Sequence, residues 1–198
     1  MQFSANLGFL WADLRLPDAI RAAKAAGFDA VECHWPYAFD AAEVRAALNE
    51  TGLRMLGLNT VRGDVAAGEN GLSALPGREA DARSAIDAAL AYAVAIGAAN
   101  IHVMAGFAEG VKAHETFVEN LRYACAVAAV QDVSILIEPL NHYDAPGYFL
   151  QTTAQAIDII AQVAAPNLKL MFDCSPFPLM GGDLRPTFPS LPPSLRPL

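Results

Sequence analysis

Along the first 174 residues, short extended runs alternate with stretches of helical periodicity, and this alternation is the strongest constraint on the fold. The extended runs are Gln2–Asn6, Asp29–His34, Leu53–Asn59, Asn100–Met104, Val133–Ile137 and Leu168–Phe172. Between them, Pro17 opens a helix that stops at Gly27, and Asp40 with Glu43 resembles a capping box for a helix ending near Gly52. Arg78–Gly97 places Ile86, Leu90, Ala93, Val94 and Gly97 on one face. Residues about 114–130 place Phe117, Leu121, Ala124 and Ala128 inward. Thr152 with Gln155 opens a last helix running to about Ala164.

Repeated strand–helix units argue for an α/β fold around a parallel sheet. Val133–Ile137 is apolar and β-branched throughout, as expected of a parallel strand buried on both faces. A doubly wound sheet would favour G-x-G-x-x-G after the first strand, and that pattern does not occur there. A (β/α)8 TIM-type barrel is therefore expected. Such barrels take about 250 residues. The 198 residues here suit an incomplete barrel of about six βα units. From Ser175 onward the composition changes, and more than half of the thirteen prolines fall in this last stretch. Proline blocks helix interiors and central strands. The expected organisation is a partial barrel domain over 1–174 and a proline-rich irregular tail over 175–198.

Composition excludes several functions. The net charge of −8 offers no electrostatic footprint for nucleic acid. No basic start with an apolar run marks a signal peptide, and no membrane span is legible. Cys33, Cys125 and Cys174 have neither metal-ligand spacing nor a paired framework. They read as buried thiols in a reducing, cytoplasmic setting. The expected partner is a small anionic substrate, with a homo-oligomer left open.

Chemistry is expected at the carboxyl ends of the strands, where barrel enzymes build their sites. Glu138 follows Val133–Ile137, and Asp173 follows Leu168–Phe172. A carboxylate entering a core is costly unless paired or metal-bound. Two of them on successive strands suit a hard divalent cation, Mg2+ or Mn2+. Asn59, Arg62, His102, Asn141 and His142 are candidate substrate contacts at the same end, and Glu32 and His34 lie beside them.

Several segments resemble the hydroxypyruvate isomerase family, within the sugar isomerases and epimerases that have xylose-isomerase-like barrels. They are FSANLGFL at the start, AAGENGLSALPGRE at 66–79, ENLRYA at 119–124, LIEPLNHYDAPGYFL at 136–150 and NLKLMFDC at 167–174. The resemblance implies interconversion of hydroxypyruvate and tartronate semialdehyde. It implies Glu138 as acid/base and metal ligand, and Asp173 as a second metal ligand. It also implies a sister activity, isomerisation of 2-oxo-tetronate, as the alternative. A metal-dependent DNA-repair endonuclease shares the barrel type, but would want a basic groove and more than the four histidines present.

After Asp173 the chain departs from the family pattern. The family continues with Tyr-His and a later Gln, whereas here Cys174-Ser175-Pro176-Phe177-Pro178 follows. No residue matches the family's later metal ligand or its second catalytic glutamate. MGGDL at 180–184 is a fragmentary match. Reduced turnover, or an inactive truncated homologue, is the expectation that follows.

Overall fold

A computed structural model of the chain describes residues 2–171. The order of elements is β1 (Ser4–Asn6), α1 (Leu16–Ala25), β2 (Ala30–Glu32), α2 (Ala41–Thr51), β3 (Arg54–Met55) and β4 (Gly57–Asn59). There follow α3 (Glu79–Ile96), β5 (Asn100–His102), α4 (Gly110–Ala129), β6 (Ser134–Ile137), α5 (Thr153–Val163) and β7 (Leu168–Leu170). Every strand pairing is parallel. Each helix packs beside the next around the outside, and α3, α4 and α5 also lie on the strands. This is the strand–helix order of a barrel wall, and the described residues form a partial barrel.

The third extended run of the sequence is broken at Leu56. Its halves pair differently, β3 with β2 and β4 with β5. The two halves still act as one bent strand. Leu56 N–H donates to Val31 O at 2.7 Å, Cys33 N–H to Gly57 O at 3.1 Å and Asn59 N–H to His34 O at 2.8 Å. The Leu56 carbonyl, outside the ladder, accepts from the Asn100 side chain. Six strand positions thus run side by side from β1 to β7.

Local chemistry sets the helix ends. Asp40 accepts from the N–H groups of Ala42 and Glu43 at 2.8 and 3.2 Å, and Gly52 at φ 69° closes the same helix. Glu43 pairs with Arg15 instead of reaching back to the cap, so only half of the expected box forms. Thr152 caps α5 through Gln155 N–H, and Gln155 returns a bond to Gln151 N–H. Helix α4 begins at Gly110, ahead of the expected 114, because nothing in its first turn breaks the periodicity.

The core is mostly aliphatic. Phe117, Leu121, Ala124 and Ala128 are buried as their spacing predicts. On α3 the stripe runs through Ala82, Ile86, Ala89, Ala93 and Ile96, and Val94 is exposed beyond its edge. The expected face was therefore centred slightly wrong. Small alanines on this stripe let the helix approach the strands closely. Cys33 and Cys125 are buried free thiols. Among the described residues no helix is long and apolar enough to cross a membrane. Asp173, Cys174 and the tail over 175–198 lie outside the described residues.

Candidate active site

The strands end in polar residues at one rim. Asn6 closes β1, Glu32 closes β2, Asn59 closes β4, His102 closes β5, and Glu138 follows β6 directly. The parallel register brings them into a row. Asn6 is level with Glu32, and Asn59 is level with His102. Charged residues fall at or just past the strand ends, because a carboxylate in apolar surroundings is costly.

Glu138 and His102 meet in this row, with Oε2 3.8 Å from Nδ1. Their side chains are 16% and 4% exposed. The distance would allow an ion pair, but burial, followed by the charge of His34, pushes His102 down to about 4. At neutral pH the contact joins a carboxyl group to a neutral imidazole. Neither ring nitrogen of His102 has a hydrogen-bond partner among the described residues. Leaving a buried polar atom unsatisfied costs about 1–3 kcal/mol. Such a group in a native fold calls for an explanation, and a bound molecule supplying the hydrogen bonds is one.

Three loops frame the row. The loop after β4, residues 60–78, folds back on the segment after β5. Gly71 N–H donates to Arg62 O, and Ala74 N–H donates to Ala105 O at 2.7 Å. Gly71 (φ 118°) and Gly106 (φ 95°) touch backbone to backbone here. A Cβ on Gly71 would lie 2.7 Å from Met104 O, and one on Gly106 would lie 2.3 Å from Gly71 O. Fully buried Asn120 ties this loop to α4 by donating to Ser73 O at 2.9 Å. The loop after β6 closes on the same segment, with Phe149 N–H donating to Gly106 O at 2.9 Å.

The expected residues divide by what holds them. Asn59, His102 and Glu138 stand in the row, and Arg62 lies just beyond it over the ring of Trp35. Asn141 is buried and serves its own turn. Its Oδ1 accepts from the N–H groups of Tyr143 and Asp144, and its Nδ2 donates to Asp144. His142 is exposed and stacks on Tyr143, with ring centres 3.8 Å apart.

Sequence reasoning missed Tyr148, Trp35 and Thr60. The buried Tyr148 hydroxyl accepts from Ala105 N–H at 2.8 Å. Burial raises its ionisation above the ordinary tyrosine range, and the charge of Glu138 adds to this. Its position within the distinctive Pro146–Leu150 segment was the available signal.

Glu138 fits one ligand position for a hard cation, being a partly buried carboxylate at a strand end. Among the described residues no three His, Cys, Asp or Glu side chains gather into a metal-binding group.

Comparison with known proteins places this geometry. The family model described as a xylose isomerase-like TIM barrel matches residues 20–186. The chain is similar to the 2-oxo-tetronate isomerase of Cupriavidus necator, at 46% identity over 92% of this chain and 72% of that protein. It is also similar to the hydroxypyruvate isomerase of Escherichia coli, at 38% identity over 94% of this chain and 74% of that one. Among solved structures, one described as AP endonuclease, family 2, from Brucella melitensis superposes with a TM-score of 0.93. It shares 35% identity and covers 98% of this chain and 76% of its own.

Proposed function

The chain belongs to the xylose isomerase-like TIM barrel family, and from that premise we propose that it is an isomerase of small hydroxy-oxo acids. The reaction is the interconversion of hydroxypyruvate and tartronate semialdehyde. The observation that carries this reading is Glu138 at the end of β6, beside a buried neutral imidazole with both nitrogens unsatisfied among the described residues.

Moving the carbonyl from C2 to C3 requires a proton to leave C3 and another to arrive at C2. Glu138, as a carboxylate, takes the C3 proton and leaves an enediolate; the C2 oxygen gains a proton and the C3 hydroxyl gives one up as the carbonyl moves. Returning a proton to C2 completes the exchange. A neutral His102 can hydrogen-bond a substrate oxygen without adding a charge that would compete for Glu138. The Tyr148 phenol stays protonated and serves as an uncharged neighbour of the acid/base group.

Glu138 would hold a divalent cation, Mg2+ or Mn2+, with Asp173 as the second ligand expected from the sequence. When bound, that cation would stabilise the negative charge that develops on the substrate oxygens.

The test is deuterium incorporation at C3 of hydroxypyruvate in D2O with added Mg2+ or Mn2+, for the wild-type chain and Glu138→Gln. Exchange is expected in the wild type and absent in the variant. Equal exchange in both refutes the reading.

The 46% identity to a 2-oxo-tetronate isomerase favours a second substrate of the same class. Parallel exchange assays with the four-carbon acid separate the two. The endonuclease description of the Brucella relative finds no support in the charge of this chain, −8 overall.

A further inference from the structure

Arg62 is held more firmly than a loop arginine usually is. Its guanidinium carbon lies 4.1 Å from the centre of the Trp35 ring. Trp35 is itself anchored, its Nε1 donating to Thr60 O at 3.1 Å. Thr60 is buried and fastened to the end of β5 and to the segment just after it. Its N–H donates to His102 O at 2.9 Å, and its Oγ1 accepts from Met104 N–H at 3.1 Å. Arg62 is thus linked through Trp35 and Thr60 to the strand whose His102 faces Glu138.

The half-buried guanidinium forms no ion pair among the described residues, a state it shares with Arg45, Arg54 and Arg83, whereas Arg15, Arg21, Arg78 and Arg122 each have a carboxylate partner. Stacking on an indole occupies the flat face of a guanidinium and leaves its edge donors free. The charge is directed at the site. After burial, the Arg62 charge is what lowers His34, which follows β2 at the same end of the strands.

We propose that Arg62, held on Trp35, recognises the substrate carboxylate and selects small hydroxy-oxo acids over neutral sugars. This deepens the isomerase reading and rests on it. In hydroxypyruvate the carboxylate is bonded directly to the carbonyl carbon. Gripping both its oxygens with a two-pronged donor fixes the plane of the reacting carbons.

The test is titration calorimetry of the full chain with D-glycerate and with glycerol, which share a three-carbon skeleton and differ in the carboxylate. The wild type is expected to bind glycerate better than glycerol. Arg62→Met is expected to weaken glycerate binding about 10- to 100-fold and leave glycerol unchanged. Arg62→Lys, a point charge without the fork, should fall between them. With hydroxypyruvate the loss should appear in KM, and kcat should fall as well where the plane of the reacting carbons is no longer fixed.

Equal glycerate affinity in the wild type and in both variants, with unchanged unfolding midpoints, overturns the proposal and leaves the isomerase reading standing. A wild type that holds glycerate no better than glycerol overturns it too. Deuterium exchange that survives in Glu138→Gln refutes the isomerase reading instead, whatever the calorimetry shows.

Discussion

The two ends of the same six strand positions are built in opposite ways. The amino-terminal end carries two clefts. One cleft of about 390 Å³ lies among Cys125, Ala129, Val133, Ala164 and Asn167, and another of about 260 Å³ lies among Leu48, Leu53, Met55 and Gly97. The carboxyl end carries Glu138, His102, Asn59 and Arg62. Neither of these two clefts is lined by the polar row, and the chemistry decides where the site is. In the larger cleft several polar groups are already used. Asn167 donates to Cys125 O and Val133 O, Arg122 pairs with Glu119 and bonds Gln162 O, and burial pushes the Cys125 thiol up to about 11. At the other end His102 has two buried nitrogens with no partner among the described residues. A site is recognised by unmet hydrogen-bonding capacity and a placed charge more than by empty space.

Substitutions can break or sharpen this contrast. The largest effect is expected from Glu138→Gln, which should slow solvent exchange at C3 by about 10²- to 10⁴-fold, the usual worth of a general acid/base. An unfolding midpoint close to wild type would assign that loss to chemistry. Next comes Gly71→Ala, which places a Cβ against Met104 O and Gly106 N in a left-handed backbone. It should destabilise the chain by about 2–4 kcal/mol, read from urea unfolding. Because Gly71 joins the loops around the site, its loss should also lower activity below the unfolding midpoint.

Asn120→Ala should cost about 1–3 kcal/mol in the same assay, since it leaves the Ser73 carbonyl without its donor. A smaller loss would mean that the loop after β4 is held chiefly by its backbone bonds to β5. The smallest effect is expected at the amino-terminal end. Ser134→Ala lines the larger cleft and should leave exchange within about twofold of wild type. A large drop there would erase the distinction between the two ends.

Much of the fold was legible because local rules agreed. Asp40, Thr152, Gly52 and Gly97 mark helix ends through hydrogen bonds and backbone angles made within a few residues. The buried stripe of α4 follows from the helical period alone. The break at Leu56 was not legible, because it depends on Asn100, far along the chain, capturing a carbonyl. Val94 was misplaced because a helical repeat gives a stripe but only neighbouring elements define its centre.

The site divides along the same line. Glu138 was visible as a charge ending an apolar run. Asn141 carried no local mark of its turn-forming role, since that role depends on how the loop after β6 folds. Trp35 and Tyr148 were invisible as site residues, since aromatic side chains are read as core unless their polar atoms are known to be engaged.

The sequence by itself determined the alternation of strand and helix, the parallel barrel wall, and a carboxylate at the rim beside β6. These depend on periodicity and on the cost of burying charge, both written in consecutive residues. Only the tertiary structure decided that His102 is buried, held neutral and next to Glu138, and that Arg62 is seated on Trp35. Those facts arise from parallel register and from loops meeting across strands, where residues distant in the chain set each other's solvation.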